Sequence, residues 1–301
     1  MVTINCPLCE HRKSKRFVSL GNRLFPLNIS ICQECGFVFQ NPRFTEEEWE
    51  IYYKSDYDIY HRPLPPLGGP ISEPGANAQV IEERLQSVAI IRDRIMLDIG
   101  AGCGDILDYF LKKNSGSLTP LAIEPSNTCQ RTLNEKDIKV IGNSIKQFRD
   151  GATEKADIII MRHVLEHLYD PLASLRIIKN FMNENSVLYI SVPNLFSVDG
   201  GIFHFPHISY FNKVTLGLLA YKTNLSTLIE GEFNDELYAI YRYVAYNGIT
   251  SAISYELNRG ITTNYLNNRY SNMLIKQIKR QLTNFIPKFL LVKLLLRNRP
   301  H

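Results

Sequence analysis

The stretch that decides the fold is Ile95-Met96-Leu97-Asp98-Ile99-Gly100-Ala101-Gly102-Cys103-Gly104. Five strand-forming residues run straight into three glycines at alternate positions, and a helix-forming segment, 105–114, follows at once. Strand, glycine turn and helix in that order place a loop at the carboxyl end of a strand, where glycine permits positive φ and lets a ligand approach the backbone. The spacing is Gly-x-Gly-x-Gly, not the Gly-x-Gly-x-x-Gly of pyrophosphate-binding turns, and Asp98 and Asp105 flank it. Carboxylates there repel a pyrophosphate and suit a cationic ligand that carries an amino-acid group. Glu124, 26 residues after Asp98 at the end of the next strand-like run, is placed to accept from both hydroxyls of a ribose.

Outward from this turn, apolar runs alternate with helical periodicity. Strands are predicted at 118–123, 138–141, 157–161 and 186–192, and helices near 105–114, 126–136 and 170–182. Helical spacing also runs from Ala76 to Arg94, and a helix near 213–223 with strand-like runs at 225–232 and 237–245 completes the sheet. Such alternation predicts an α/β fold, a Rossmann-like parallel sheet with helices on both faces. Four segments follow: a zinc-binding module with a Tyr-rich stretch at 1–60, a linker at 61–75, the core at 76–250, and a basic C-terminal segment at 251–301. Five prolines and three glycines between 63 and 75 mark the linker. Trp49, Tyr52, Tyr53 and Tyr57 recur at helical spacing and are expected to pack the small module on the core or to contact a ligand.

Four of the six cysteines form two knuckles, Cys6-x-x-Cys9 and Cys32-x-x-Cys35. Two residues between thiolates let one tight turn aim both sulfurs at a single ion, and two such turns complete the tetrahedral shell that Zn2+ prefers. Four thiolates leave no open position, so the predicted metal is structural. Cys103 and Cys129 have no partner spacing and are read as small packing residues.

Composition bounds the remaining choices. With 45% hydrophobic and 21% charged residues, the chain has the makeup of a globular protein and is neither a disordered nor a disulfide-stapled one. No apolar run approaches the ~18–20 residues that span a bilayer, and the N-terminus lacks a basic start followed by an apolar stretch, so a cytoplasmic location is expected. The net charge of +4 is lopsided: nine basic residues and no acidic ones follow Glu256. The remaining 25 basic and 30 acidic residues give 1–256 a formal −5, which argues against specific nucleic-acid binding by the body. From Met273 onward, lysines and arginines accompany Leu290, Leu291, Val292 and Leu294–Leu296, a pattern that suits peripheral contact with an anionic inner membrane face or packing on the core or a second subunit.

The motif Asp98-Ile-Gly100-Ala-Gly102-Cys-Gly104, Glu124 after the second strand, and Ala156-Asp157-Ile-Ile-Ile-Met-Arg-His163-Val-Leu-Glu166-His167-Leu-Tyr-Asp170-Pro171 resemble the class I S-adenosylmethionine-dependent methyltransferases. The resemblance implies that Asp98, Gly100, Ala101 and Gly102 hold the methionine moiety and that Glu124 holds the ribose. It places Asn143 and Ser144 near the adenine, where the family often has Asp, and His163 at the pocket wall. His163-Val-Leu-Glu166-His167 also spells a zinc-peptidase pattern, which needs both imidazoles on one helix; the preceding apolar strand and the following Asp170-Pro171 leave no room for it.

Together with the paired knuckles, the Tyr-rich segment and His204-Phe-Pro-His207-Ile-Ser-Tyr210-Phe211-Asn, the chain is similar to bacterial methyltransferases of deoxysugar and surface-polysaccharide pathways, including nucleotide-sugar C-methyltransferases. The resemblance implies a small-molecule acceptor, a (nucleotide-)sugar or polysaccharide intermediate, methylated at O or C, with S-adenosylmethionine and structural zinc as cofactors. Pro206 stands where the sugar C-methyltransferases usually carry Glu. Methyl transfer to a hydroxyl or a ketose α-carbon needs a base, for which His207 is the candidate, with Tyr210 or Tyr53 as orienting hydroxyls. Two other readings stand beside it: an RNA base methyltransferase whose zinc module grips RNA through Arg12, Lys13, Lys15 and Arg16, and a non-catalytic zinc-bearing scaffold.

Overall fold

The computed structural model describes residues 1–21, 26–55, 75–197, 203–244 and 255–268. The linker expected at 61–75, apart from Gly75, and the tail from Met273 lie outside the described residues.

The decisive stretch forms β4 (Ile95–Ile99), its glycine turn, and α3 (Asp105–Lys113). On one side β4 pairs in parallel with β5 (Thr119–Ile123), which pairs with β6 (Lys139–Gly142). On the other it pairs with β7 (Ile158–Arg162), which pairs with β8 (Val187–Pro193). β11 (Glu236–Tyr243) returns antiparallel along β8, and β10 (Leu225–Phe233) closes the edge, giving seven strands in the order β10-β11-β8-β7-β4-β5-β6. The chain moves outward from β4 to β6 and then crosses to β7, so the strand order reverses beside β4, and the carboxyl ends there open the crevice in which such sheets bind ligands.

Period-two alternation sorts the core onto two faces. Met96, Ala122, Ile158 and Ile160 share a cluster with residues of α2 (Ala76–Leu85), α3 and α4 (Asn127–Glu135). Leu97, Ile99, Ile159 and Met161 share another with α5 (Pro171–Ile178) and α6 (Lys213–Lys222). Burial on both sides explains why the central strands read as unbroken apolar runs. Helix starts follow local chemistry: the Ser126 hydroxyl accepts from Cys129 N, the Asp170 carboxylate from Ala173 N with Pro171 in the first turn, and Asn212 with Thr215 forms a capping box. The helix read from Ala76 to Arg94 ends at Leu85, where the Ser87 hydroxyl donates to the Arg84 carbonyl and the chain turns. The helix read over 170–182 ends at Ile178 and tightens into a 3-10 turn over Lys179–Phe181.

A second, antiparallel sheet has the order β1-β2-β3-β9, from β1 (Ser14–Gly21), β2 (Pro26–Cys32), β3 (Val38–Gln40) and β9 (Ser209–Tyr210). Its last strand comes from the segment after β8, with Val38 opposite Tyr210 and Phe39 opposite Ser209. Cys6, Leu8, Phe37 and Phe39 belong to the same cluster as α5 and α6, so the apolar interior is continuous from this sheet to the larger one. The helix α1 (Glu46–Ser55) buries Trp49 and Tyr52 beside Phe205 and Ile208. The final described helix, α7 (255–268), packs on the second knuckle: the Asn258 amide donates to the Cys35 carbonyl at 2.7 Å and Arg259 to the Gln33 carbonyl. Among the described residues no helix is long and apolar enough to cross a membrane.

Candidate active site and cysteine centre

Gly100 and Gly102 both have positive φ, 73° and 56°, but for different physical reasons. A Cβ on Gly100 would lie 2.5 Å from Val164 Cγ2, so the turn needs a hydrogen there to nest against the segment after β7. A Cβ on Gly102 would meet nothing within 4 Å; that position faces open space, and its N–H donates to Glu124 Oε2 at 2.8 Å. Glu124 Oε1 accepts from Ser126 N at 2.9 Å, which fixes the carboxylate at the end of β5 beside the turn. Asp98 is 2% exposed, and its Oδ2 has no hydrogen-bond partner among the described residues. Burial, then the neighbouring Glu124 charge, push the Asp98 carboxyl up to about 8 against the opposing pull of Arg162. A buried acid lacking a partner and a backbone step with open space in front of it fit a ligand that brings an ammonium or sulfonium cation.

Ala101 lies in the same turn and is 9% exposed. Asn143 and Ser144 follow β6, beside the Glu124 end of β5: Glu124 N donates to Gly142 O at 3.1 Å. The Ser144 hydroxyl caps the 3-10 turn Ile145–Phe148 by accepting from Lys146 N, and Asn143 N donates to Gln147 Oε1. His163 directly follows β7 with φ 53°. Its Nε2 lies 2.6 Å from Glu236 Oε1 and its Nδ1 3.2 Å from Glu166 Oε1. Burial works against an imidazolium here, yet the bonds to Glu166 and Glu236 outweigh it and hold His163 up at about 9.

His207 lies across from this group. It is 7% exposed, with its ring centroid 4.8 Å from that of His167 and its Nε2 3.9 Å from Glu166 Oε1. The His167 Nδ1–H donates to the Pro206 carbonyl at 2.8 Å, since a carbonyl can only accept, which turns Nε2 towards Glu166 at 3.9 Å. Burial lowers the His167 pKa and keeps that ring neutral. Tyr53 reaches the same group, its ring 6.2 Å from His167 and edge-on to Trp49 at 5.4 Å. Tyr210 does not join them. Its hydroxyl donates to the His207 carbonyl at 2.7 Å, and the ring packs on Phe203, so it braces the loop from beneath. Gln40 Nε2 donates to the same carbonyl and to that of Phe205, and Trp49 Nε1 donates to the His167 carbonyl.

The sequence assigns no site role to Glu166, His167, Glu236 or Gln40, and gives Trp49 packing or a ligand contact. Glu166 and His167 were visible as a motif, but the peptidase geometry fails: Leu165–His167 is one 3-10 turn, and His163 points between two carboxylates. Glu236 and Gln40 carry no local signal.

The four knuckle cysteines converge. Cys6 Sγ lies 3.7 Å from Cys35 Sγ, and Cys9 Sγ 3.5 Å from Cys32 Sγ. A tetrahedral ion with Zn–S bonds of about 2.3 Å sets its sulfurs roughly 3.8 Å apart, so the spacing fits a thiolate-bound metal. Glu34 N points at Cys32 Sγ (3.4 Å), a contact that favours the thiolate. Hydrogen bonding to the neighbouring Cys32 raises Cys6 and Cys35 well above the ordinary thiol range, a conflict that a shared cation removes. Cys129 is buried in α4, and Cys103 lies in the glycine turn.

A methyltransferase-domain family matches residues 74–229, just over half of the 301 residues, and the chain belongs to that family. Its sheet is that of the class I S-adenosylmethionine-dependent methyltransferases. Among solved structures, the 1,6-didemethyltoxoflavin-N1-methyltransferase of Burkholderia thailandensis, with 1,6-didemethyltoxoflavin and S-adenosylhomocysteine bound, is 16% identical. That match has a TM-score of 0.52 and covers 71% of this chain and 98% of that one. An O-methyltransferase family protein from the same organism is 12% identical with a TM-score of 0.46, covering 57% of this chain and 58% of that one. Mitomycin 7-O-methyltransferase is 16% identical with a TM-score of 0.46, covering 56% and 55%. The chain thus spans a little over half the length of these last two relatives. No curated protein matches it.

Proposed function

We propose that this methyltransferase acts on a small-molecule acceptor, a nucleotide sugar or surface-polysaccharide intermediate, at oxygen or carbon, with His207 as the base. The observation that carries the reading is the meeting of His207, His167 and Tyr53 around Glu166, next to the segment that nests against Gly100. The bound S-adenosylmethionine supplies a sulfonium-activated methyl group for in-line displacement. This chain's own residues do the rest. Asp98 would pair with the ammonium of the methionine moiety, Gly100, Ala101 and Gly102 would form the turn beneath it, Glu124 would hold the ribose hydroxyls, and Asn143 and Ser144 would flank the adenine. His163 walls the pocket between its two carboxylates. His207 takes the acceptor proton, since a hydroxyl or α-carbon is a poor nucleophile while protonated. Trp49, Tyr52 and Phe205 pack as a buried aromatic cluster that holds the Tyr53 ring in place.

The same proposal includes one structural Zn2+ on Cys6, Cys9, Cys32 and Cys35, supported by the sulfur separations. The Burkholderia relative bears on the reading because its own acceptor is a small molecule. The test is a methyl-transfer screen with labelled S-adenosylmethionine against nucleotide sugars, with RNA transcripts as rival acceptors. Transfer to a nucleotide sugar supports the reading, and transfer to RNA alone overturns it.

A further inference from the structure

Between β1 and one face of α7 runs a groove whose charges are uncompensated. Lys13 and Lys15 stand on one side and Arg259 and Thr263 on the other, with His11 and Gln33 at the end beside Cys32. Past Lys15 it continues to Arg16 and Phe17, with Leu266 and Asn267 opposite. Its wider half encloses about 460 Å3 and its narrower half about 320 Å3, the size of small-ligand sites.

The walls are joined at both ends. At one, the Asn258 amide donates to the Cys35 carbonyl and Gly36 nests against the Arg259 backbone. At the other, Leu266 shares a buried cluster with Ile31, and Phe17 packs against it. A bulge between Arg16 and Val18 breaks the alternation of β1, so the consecutive Lys15, Arg16 and Phe17 all line the groove, where a regular strand would turn Arg16 away. Lys13, Lys15 and Arg16 are exposed and form no ion pair among the described residues. Elsewhere lysines are paired: Lys112 with Asp108, Lys139 with Glu154, Lys146 with Glu46 and Glu50, and Lys213 with Glu230. Arg259 spends one N–H on the Gln33 carbonyl, which sets the guanidinium on its wall with further donors to offer. No Asp or Glu lines the groove; Glu10, Glu34 and Glu256, close in sequence, stay outside it.

We propose that this groove is a binding site for the diphosphate group of a soluble phosphate ester. It shares no residue with the cofactor turn or with the His207 group. Because Lys15 belongs to both halves, the cations run along the groove instead of meeting at one point, which fits two linked phosphates. Ile31 and Leu266 give an apolar floor for the organic remainder. The chain's own tail is excluded by sign, since 269–301 carry eight basic residues and no acidic one.

Calorimetric titration of the full, zinc-loaded chain with inorganic pyrophosphate tests this, with saturating S-adenosylhomocysteine present to fill the cofactor crevice. Wild type is expected to bind one equivalent, more weakly as salt is raised. Lys15→Ala, and Lys13→Ala with Lys15→Ala, should each weaken binding at least tenfold and keep their zinc, while Arg176→Ala on α5 leaves it unchanged. Retained zinc reports that the small module is folded. No pyrophosphate binding by wild type, or equal binding by the lysine variants, overturns the proposal. So does binding to RNA or to phosphatidylglycerol vesicles with none to pyrophosphate. Loss of zinc together with pyrophosphate binding overturns it as well, because the cations would then serve to offset the negative charge of the cysteine centre.

Discussion

Glu236, the first residue of β11, places its Oε1 2.6 Å from His163 Nε2 and also 2.6 Å from Arg162 Nη2. It reaches there because β11 runs antiparallel to β8 with Glu236 opposite Pro193, at the carboxyl end of the sheet. A strand one in from the sheet edge therefore fixes the charge of a residue at its centre. His163, raised to about 9, stays protonated at neutral pH. Its folded value exceeds the unfolded one of about 6.5, so the stabilisation is fully present below that pH and is lost as pH rises through about 9. Glu236→Gln should move the His163 pKa down towards the ordinary imidazole range, read from its ring protons by NMR. An unmoved value would show that Glu166 alone sustains the charge.

Asp98 gives the opposite kind of linkage. With its carboxyl at about 8, the ligand-free site is protonated at pH 6.5, and an incoming ammonium favours the ionised form. Binding of S-adenosylhomocysteine at pH 6.5 should release about one proton, measured by calorimetry in two buffers of different ionisation enthalpy. Asp98→Asn should abolish the release. Equal heats in both buffers for wild type would place the cation elsewhere.

The two turn glycines predict different failures. Gly102→Ala meets no neighbour and suffers only the positive-φ strain, about 1–2 kcal/mol, yet it puts a methyl group where the cofactor approaches. Folding should survive while cofactor affinity falls at least tenfold. Gly100→Ala adds a 2.5 Å clash with Val164 to the same strain and should lower the melting temperature further. Equal thermal shifts in the two variants would count against this division.

The parts of this fold that were legible in sequence are those whose cause is local. Parallel strands buried on both faces read as apolar runs, and the turn reads as glycine and acid, so β4, β5, β7 and β8 fall where the pattern puts them. The knuckles likewise declare themselves by spacing. Glu236 and Gln40 were not legible because only the registers of β11 on β8 and of β2 on β3 bring them to the site. Tyr210 and His207 are three residues apart, and the sequence puts both at the acceptor, one as orienting hydroxyl and the other as base. The pairing of Tyr210 with Val38 in β9 turns its hydroxyl to the His207 carbonyl, a distinction that lives in the sheet register.

Metal in the cysteine centre should also hold α7. The Asn258 amide reaches the Cys35 carbonyl, and Gly36 lies so close to Arg259 that a Cβ would stand 2.6 Å from its Cα. Cys32→Ser should lower zinc content by one equivalent and expose the chain near 255–268 to limited proteolysis, since coordination energy is folding energy for a module this small. Full protection of α7 in a zinc-free variant would show that the helix docks independently of the knuckle.

The last test separates the two residues that the 203–210 segment offers. His207 Nε2 faces Glu166 beside His167, whereas the Tyr210 hydroxyl is spent on a backbone carbonyl and the ring is buried at 2% exposure. Removing a general base raises the barrier of the proton-transfer step alone, so His207→Ala should lower turnover by roughly 10^2 to 10^4 and leave cofactor affinity unchanged. Tyr210→Phe removes one buried hydrogen bond, worth about 0.5–1.5 kcal/mol, and should register in thermal stability with turnover reduced only as far as the loop loosens. Measuring both variants with an acceptor found by the screen decides between them. If His207→Ala turns over at the wild-type rate, the ring is only packing, and Tyr53, edge-on to His167, becomes the group to examine.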